Sequence, residues 1–173
     1  MKAAVLSALK DVRCEFVDIP QITDNDVLIK VVYCGICGSD ISRSMIKGAR
    51  KYPLILGHEF CGEVVEVGRD VQHLKLGDRV VVAPLIPCRN CKYCMVNEYG
   101  LCDNYTIIGT GSDGAFAEYV KVPKEHAILI DDGIDFETAV GVEPTTIGYH
   151  GLKKARIQPG EIVVIMGCGP IGQ

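Results

Sequence analysis

At 173 residues, 48% hydrophobic and 23% charged, the chain is long enough for one ordinary domain with a second begun, and apolar enough for a sizeable core. A net charge of -4 gives no general pull toward nucleic acid or an anionic membrane, and no run approaches the ~20 apolar residues of a membrane span. The nine cysteines, an odd count with metal-type spacing, favour reduced thiols and a cytoplasmic protein.

The apolar run at residues 1–9 stops at Lys10-Asp11, too short for a signal peptide and without a small-residue cleavage site, so it reads as a first strand. Pro20 and the polar turn at 23–26 precede a β-branched strand over 27–33. Residues 34–40 form a Gly-rich turn into a short helix from Asp40. A loop with Gly48 and Pro53 follows, and residues 54–56 then run straight into Gly57-His58-Glu59. The β pattern returns over 62–68, 75–82, 116–122 and 127–130. Short strands separated by Gly and Asp turns roughly every ten residues predict a barrel or sandwich rather than βαβ units. Residues 84–104 read as an excursion from that barrel. Past Asp135, which caps a helix, a second helix is expected over 145–155. After Pro159-Gly160, residues 161–166 predict a buried parallel-type strand ending in Gly167-Cys168-Gly169-Pro170-Ile171-Gly172. The expected fold is therefore mainly β with short helices over 1–144. Residues 145–160 would connect it to 161–173, the start of an α/β nucleotide-binding domain.

The most specific motif lies in the excursion. Cys88, Cys91, Cys94 and Cys102 stand at spacings of two, two and seven residues, which outlines a closed tetrahedral thiolate site for zinc. Asn97 and Gly100 are placed to turn the chain back and deliver the fourth thiol. A pair of disulfides is the alternative, disfavoured because neighbours two residues apart bridge poorly. Cys37, His58 and Glu59 offer thiolate, imidazole and carboxylate, ligand types that zinc favours. Their separation leaves open that Cys37 is a small buried hydrophobe and His58 a satisfied core histidine. Cys34 and Cys37 mimic a redox pair but lack its βαβ context. Gly167, Gly169 and Gly172 fit G-x-G-x-x-G directly after a predicted strand, the context of a pyrophosphate-binding turn, although an ordinary Gly-rich turn fits as well.

Gly57-His58-Glu59-x-x-Gly62-x5-Gly68-x-x-Val71, with Cys37-Gly38-Ser39-Asp40, Gly77-Asp78-Arg79-Val80 and the four-cysteine lobe in that order, resembles the zinc-containing medium-chain alcohol dehydrogenases along the whole chain. Glu143-Pro144-x-x-x-Gly148-x-His150 is similar to the polyol branch of that family. The runs at 83–88, 108–109 and 113–119 resemble galactitol-phosphate dehydrogenases most, with sorbitol dehydrogenases next. The resemblance implies a GroES-like, partly open barrel followed by a Rossmann domain. It also implies two zinc ions, one catalytic and one structural, and oxidation of a polyol or polyol phosphate with NAD or NADP. Cys37, His58 and a carboxylate, Glu59 or Glu143, would hold the catalytic zinc. Ser39 would relay the proton, and Asp40 would orient His58. Ser42 stands where many family members carry a relay histidine. Glu143 could instead serve only as a cap of its helix. The resemblance further implies a homo-oligomeric intact enzyme, with this chain as its N-terminal part, inactive alone. Two other classes compete: a zinc-ribbon module reading nucleic acid, disfavoured by the acidic balance and by a lobe with only Arg89 and Lys92 as cations, and an interaction domain whose metal is only structural.

Overall fold

The computed structural model describes residues 1–173. Strands β1 (Lys2–Ala8) and β2 (Asp11–Phe16) form an antiparallel hairpin. β3 (Asp26–Gly35) leads into a single helical turn, α1 (Gly38–Ile41), which continues as a π-helical turn over Ser42–Lys47. β4 (Leu54–Ile55) and β5 (Glu59–Val67) flank the Gly57-His58 corner, and β6 (Arg79–Val82) follows. The lobe is pinched at its base by β7 (Leu85–Ile86) pairing with β8 (Thr106–Ile107), and β9 (Tyr119–Pro123) and β10 (Ala127–Leu129) complete the strands. The main sheet runs β10-β6-β5-β3-β9 and the smaller one β2-β1-β4, with every pairing antiparallel.

β3 is central because both its edges are paired and both its faces are covered at one end. Asp26, Val27, Leu28 and Ile29 are all buried, and alternation toward solvent starts only at Lys30. Around it Val27, Ile29, Phe60, Val64, Val80 and Val122 anchor one 13-residue core. Each such buried side chain contributes about 1.5–3 kcal/mol relative to exposure. That packing fixes β3 against β5, whose adjoining ends, Gly35 and Glu59, lie two residues before Cys37 and directly after His58. β3 and β5 also approach closely at Gly62, where a Cβ would lie 2.1 Å from the Lys30 carbonyl oxygen. The smaller sheet joins through the Ala3–Ala117 bridge and through Phe116, which packs against two satellite clusters.

Asp135 caps α2 (Phe136–Ala139) as expected, its carboxylate accepting from the Thr138 N–H at 2.7 Å. The second helix starts earlier than expected: α3 spans Val142–Ala155. Pro144 sits in its first turn, where a missing N–H costs nothing. The short helix at 38–41 likewise begins two residues before Asp40.

The strand expected at 161–166 does not form. Ile162 and Met166 are 95% and 96% exposed, and the segment pairs with no strand. A parallel strand needs neighbours on its edges and cover on both faces, and residues 1–160 supply neither. No helix is long and apolar enough to cross a membrane.

Candidate metal centres and the cleft beside them

All nine cysteines are free thiols, so the disulfide alternative for the lobe does not hold. The four Sγ atoms of Cys88, Cys91, Cys94 and Cys102 lie within 4.8 Å of one another, with Cys91–Cys94 at 3.6 Å and Cys91–Cys102 at 3.9 Å. A tetrahedron with Zn–S bonds of about 2.3 Å has S···S edges of about 3.8 Å, so the donor set fits zinc. Asn97 turns the chain in a left-handed conformation (φ 61°) after the 3-10 turn Cys94–Val96. Gly100, by contrast, lies inside the 3-10 turn Tyr99–Leu101 and adopts no positive φ. Backbone N–H groups of Asp103 and Cys94 point at the Cys91 sulfur and bring its pKa down to about 6, so part of the thiolate charge a metal needs is prepaid by the loop.

The second centre is assembled from three places. Cys37 is the N-cap of α1, Gly57 makes the corner before His58, and Glu59 opens β5 opposite Gly35 of β3. One ligand atom from each of Cys37, His58 and Glu59 falls within a 4.8 Å group. The corner depends on Gly57 at φ 96°, where a Cβ would meet Phe116 N and Cδ1 at 2.8 Å and Cys34 Sγ at 2.9 Å. Gly35 clears the space that the Glu59 carboxylate takes: a Cβ there would lie 2.6 Å from Glu59 Oε2.

Asp40 supports this group from behind. It is 2% exposed; one carboxylate oxygen accepts from the Cys37 N–H at 3.1 Å, and the other faces His58 Nδ1 at 3.4 Å. Neither Asp40 Oδ1 nor His58 Nδ1 has another partner, so each is committed to the other, and Nε2 is the ring nitrogen left for a metal. Burial opposes the imidazolium, but Asp40, with Glu143 and Glu59 adding, outweighs it and raises the His58 pKa. The buried Ser44, unremarked in the sequence, donates its hydroxyl to the Asp40 carbonyl at 2.8 Å and fixes the turn. Cys34 lies close by, but burial, with Asp40 and Glu59 adding, pushes its thiol up to about 12, which removes it as a thiolate.

A cleft of about 440 Å³ opens beside His58, lined also by Ser39, Arg43, Thr110, Glu143 and Ile147. Glu143 comes from the first turn of α3 and makes no capping hydrogen bond. It lies outside the three-residue metal group, yet near enough to feel it: burial raises its pKa, the His58 charge opposes that, and Glu59 adds to it. Gly167, Gly169 and Gly172 lie on the exposed segment after α3 and line no part of this cleft. Arg43 belongs to none of the sequence motifs that mark the site. Its signal was its position four residues after Ser39, on the same side of the helical turn.

Residues 23–132 match the alcohol dehydrogenase GroES-like domain family. The chain is 39% identical to sorbitol dehydrogenase of Bacillus subtilis over 99% of its length and 50% of that protein's. It is also 39% identical to galactitol 1-phosphate 5-dehydrogenase of Escherichia coli, over 89% of the chain and 45% of that protein. The crystal structure of galactitol-1-phosphate dehydrogenase from Escherichia coli superposes with a TM-score of 0.95 at 37% identity, covering 99% of this chain and 50% of that one. 2R,3R-butanediol dehydrogenase from Bacillus subtilis gives 0.90 at 34% identity, covering 99% and 52%. The chain thus spans about half the length of the curated relatives it matches. With the family match spanning residues 23–132 and the whole chain superposing on these structures, the chain belongs to the alcohol dehydrogenase GroES-like domain family.

Proposed function

We propose that this chain is the N-terminal catalytic part of a zinc-dependent dehydrogenase that oxidises a secondary hydroxyl of a polyol or polyol phosphate to a ketone. The observation that carries the reading is the gathering of Cys37, His58 and Glu59, apart from a closed four-thiol cluster, with His58 opening onto a cleft that Ser39 and Glu143 also line. A structural site alone would need only the four thiols. The open three-residue set is what a catalytic zinc uses. The names of the relatives, all polyol or alcohol dehydrogenases, support the substrate class.

Cys37, His58 and Glu59 would hold a zinc ion, which would supply a Lewis acid to a substrate hydroxyl. NAD or NADP would supply the oxidant, accepting the hydride from the substrate carbon, with Gly167, Gly169 and Gly172 as the proposed pyrophosphate turn of a Rossmann domain begun at 161–173. The chain's own residues divide the remaining work. Asp40, sealed from water, holds the Nδ1 side of His58 and so presents Nε2 as a neutral donor. Ser39, in the cleft wall, relays the hydroxyl proton, accepting it on Oγ as its own hydroxyl proton passes to water. Glu143, half-buried across the cleft, supplies a second carboxylate to the metal side, directly or through water. Apolar walls from Val81, Val82 and Ile128 keep bulk water from the reacting carbon. We place residues 1–144 in the catalytic domain and 145–160 in a connector, and read the intact protein as a cytoplasmic homo-oligomer that binds neither nucleic acid nor membrane.

Metal analysis of the full-length protein tests this. Near two zinc per chain, one lost in Cys37→Ser together with NAD(P)-dependent polyol oxidation, is the expected result. One zinc per chain, with no oxidation of any polyol by either cofactor, would reduce the protein to a metal-stabilised interaction domain.

A further inference from the structure

A smaller recess of about 70 Å³ lies next to the cleft and shares Arg43, Ile107 and Thr110 with it. Its polar lining is Arg43 and Arg50 from the 42–50 segment, and Tyr105, Thr106 and Thr110 from β8 and the residues flanking it. No acidic side chain lines it, and neither guanidinium makes an ion pair or a hydrogen bond with the protein. Two unpaired arginines and the Tyr105 and Thr106 hydroxyls around a space of about two water volumes are the donors a single tetrahedral oxyanion needs. Arginine forks match phosphate oxygens two at a time, and no carboxylate in the recess competes for them; the Thr110 hydroxyl is already turned to the Ile107 carbonyl at 3.4 Å.

We infer that this recess binds the phosphate group of the substrate, so that the preferred substrate is a polyol monophosphate rather than a free polyol. The inference rests on the proposed function, because it takes the Ser39–His58–Glu143 end of the cleft as the site of oxidation. Arg43 lies at the junction of the two cavities, so a phosphate gripped there leaves the carbon chain to run along the cleft toward His58. Binding energy from the non-reacting phosphate then positions the hydroxyl to be oxidised.

The test uses the full-length, zinc-loaded protein with galactitol 1-phosphate and galactitol as the paired probes, and inorganic phosphate as a binding probe by calorimetry. The wild type is expected to favour the phosphorylated probe in kcat/KM by at least tenfold. Arg43→Gln and Arg50→Gln are each expected to cut that preference at least tenfold and to weaken inorganic phosphate. Arg50→Lys should restore part of both. Zinc content and thermal unfolding at wild-type values confirm that the variants fold, as expected for side chains with no partners in the protein. An unchanged preference and unchanged phosphate binding in both variants would overturn the assignment. So would a change confined to the KM of NADP relative to NAD, which would give the recess to the cofactor instead. Phosphate binding that is lost in the variants, in a protein that oxidises no polyol, would uphold the recess and remove the proposed reaction. Oxidation of both probes at equal efficiency would do the reverse.

Discussion

Removing the Asp40 carboxylate should uncouple the second metal centre from the fold. Asp40→Ala deletes the acceptor for the Cys37 N–H, a helix cap that contributes about 1 kcal/mol. It also leaves the buried His58 Nδ1, already without any other partner, facing an apolar gap, which costs about 1–3 kcal/mol. Together these amount to about 2–4 kcal/mol, or roughly 4–16 °C in midpoint for a domain of this size. The loss should appear in zinc-free protein, since it does not pass through the metal. In the loaded protein, a histidine with no fixed tautomer and a loosened Cys37 turn should lower zinc affinity about 10–100-fold. Chelator competition reads the second effect and thermal unfolding the first. Asp40→Asn keeps an acceptor for Cys37 and should fall between the two. If Asp40→Ala held zinc with wild-type affinity and unfolded within about 0.5 kcal/mol of wild type, the carboxylate would be a passive buried group and the support argument would fail.

Cys94→Ser should lower zinc content by one and destabilise the lobe, with the two losses moving together; a variant one zinc short with unchanged unfolding would show that the four-thiol cluster is not structural. Zinc uptake by the wild-type lobe should release fewer than four protons at pH 7, because Cys91, with its pKa near 6, is already mostly thiolate; the dependence of the calorimetric enthalpy on buffer measures the number. Gly57→Ala should cost upwards of about 2 kcal/mol from positive-φ strain and the contacts with Phe116 and Cys34, and should also empty the second centre; a variant as stable as wild type with full zinc would contradict the tight corner. For Glu143 the sign depends on the metal. Burial raises its folded pKa, so in zinc-free protein the stability present below the ordinary carboxylate range is lost as pH rises through the raised value. Glu143→Gln escapes that loss and should be relatively more stable at neutral pH than at pH 4. With zinc bound, the same substitution should shift the pH profile of kcat, and an unshifted profile would take Glu143 out of the site.

The four-cysteine lobe was legible in the sequence because its ligands are local. Gaps of two, two and seven residues force the thiols together in one loop whatever the barrel does. The mainly β architecture was legible for a similar reason, since alternation and Gly or Asp turns act within ten residues. Cys37, His58 and Glu59 were readable as residue types but not as a site from spacing alone. They meet only because β3 and β5 pair in a register that sets Gly35 against Glu59. Asp40 showed itself in sequence only through resemblance; its commitment to His58 comes from burial that the core supplies. The recess at Arg43 and Arg50 was not legible at all, because its hydroxyls arrive from residues 105–110, across the whole lobe. The segment at 161–166 went the other way. Its apolar run carries the local preference of a strand, but a strand exists only where another edge accepts its hydrogen bonds, and that partner is a property of tertiary structure.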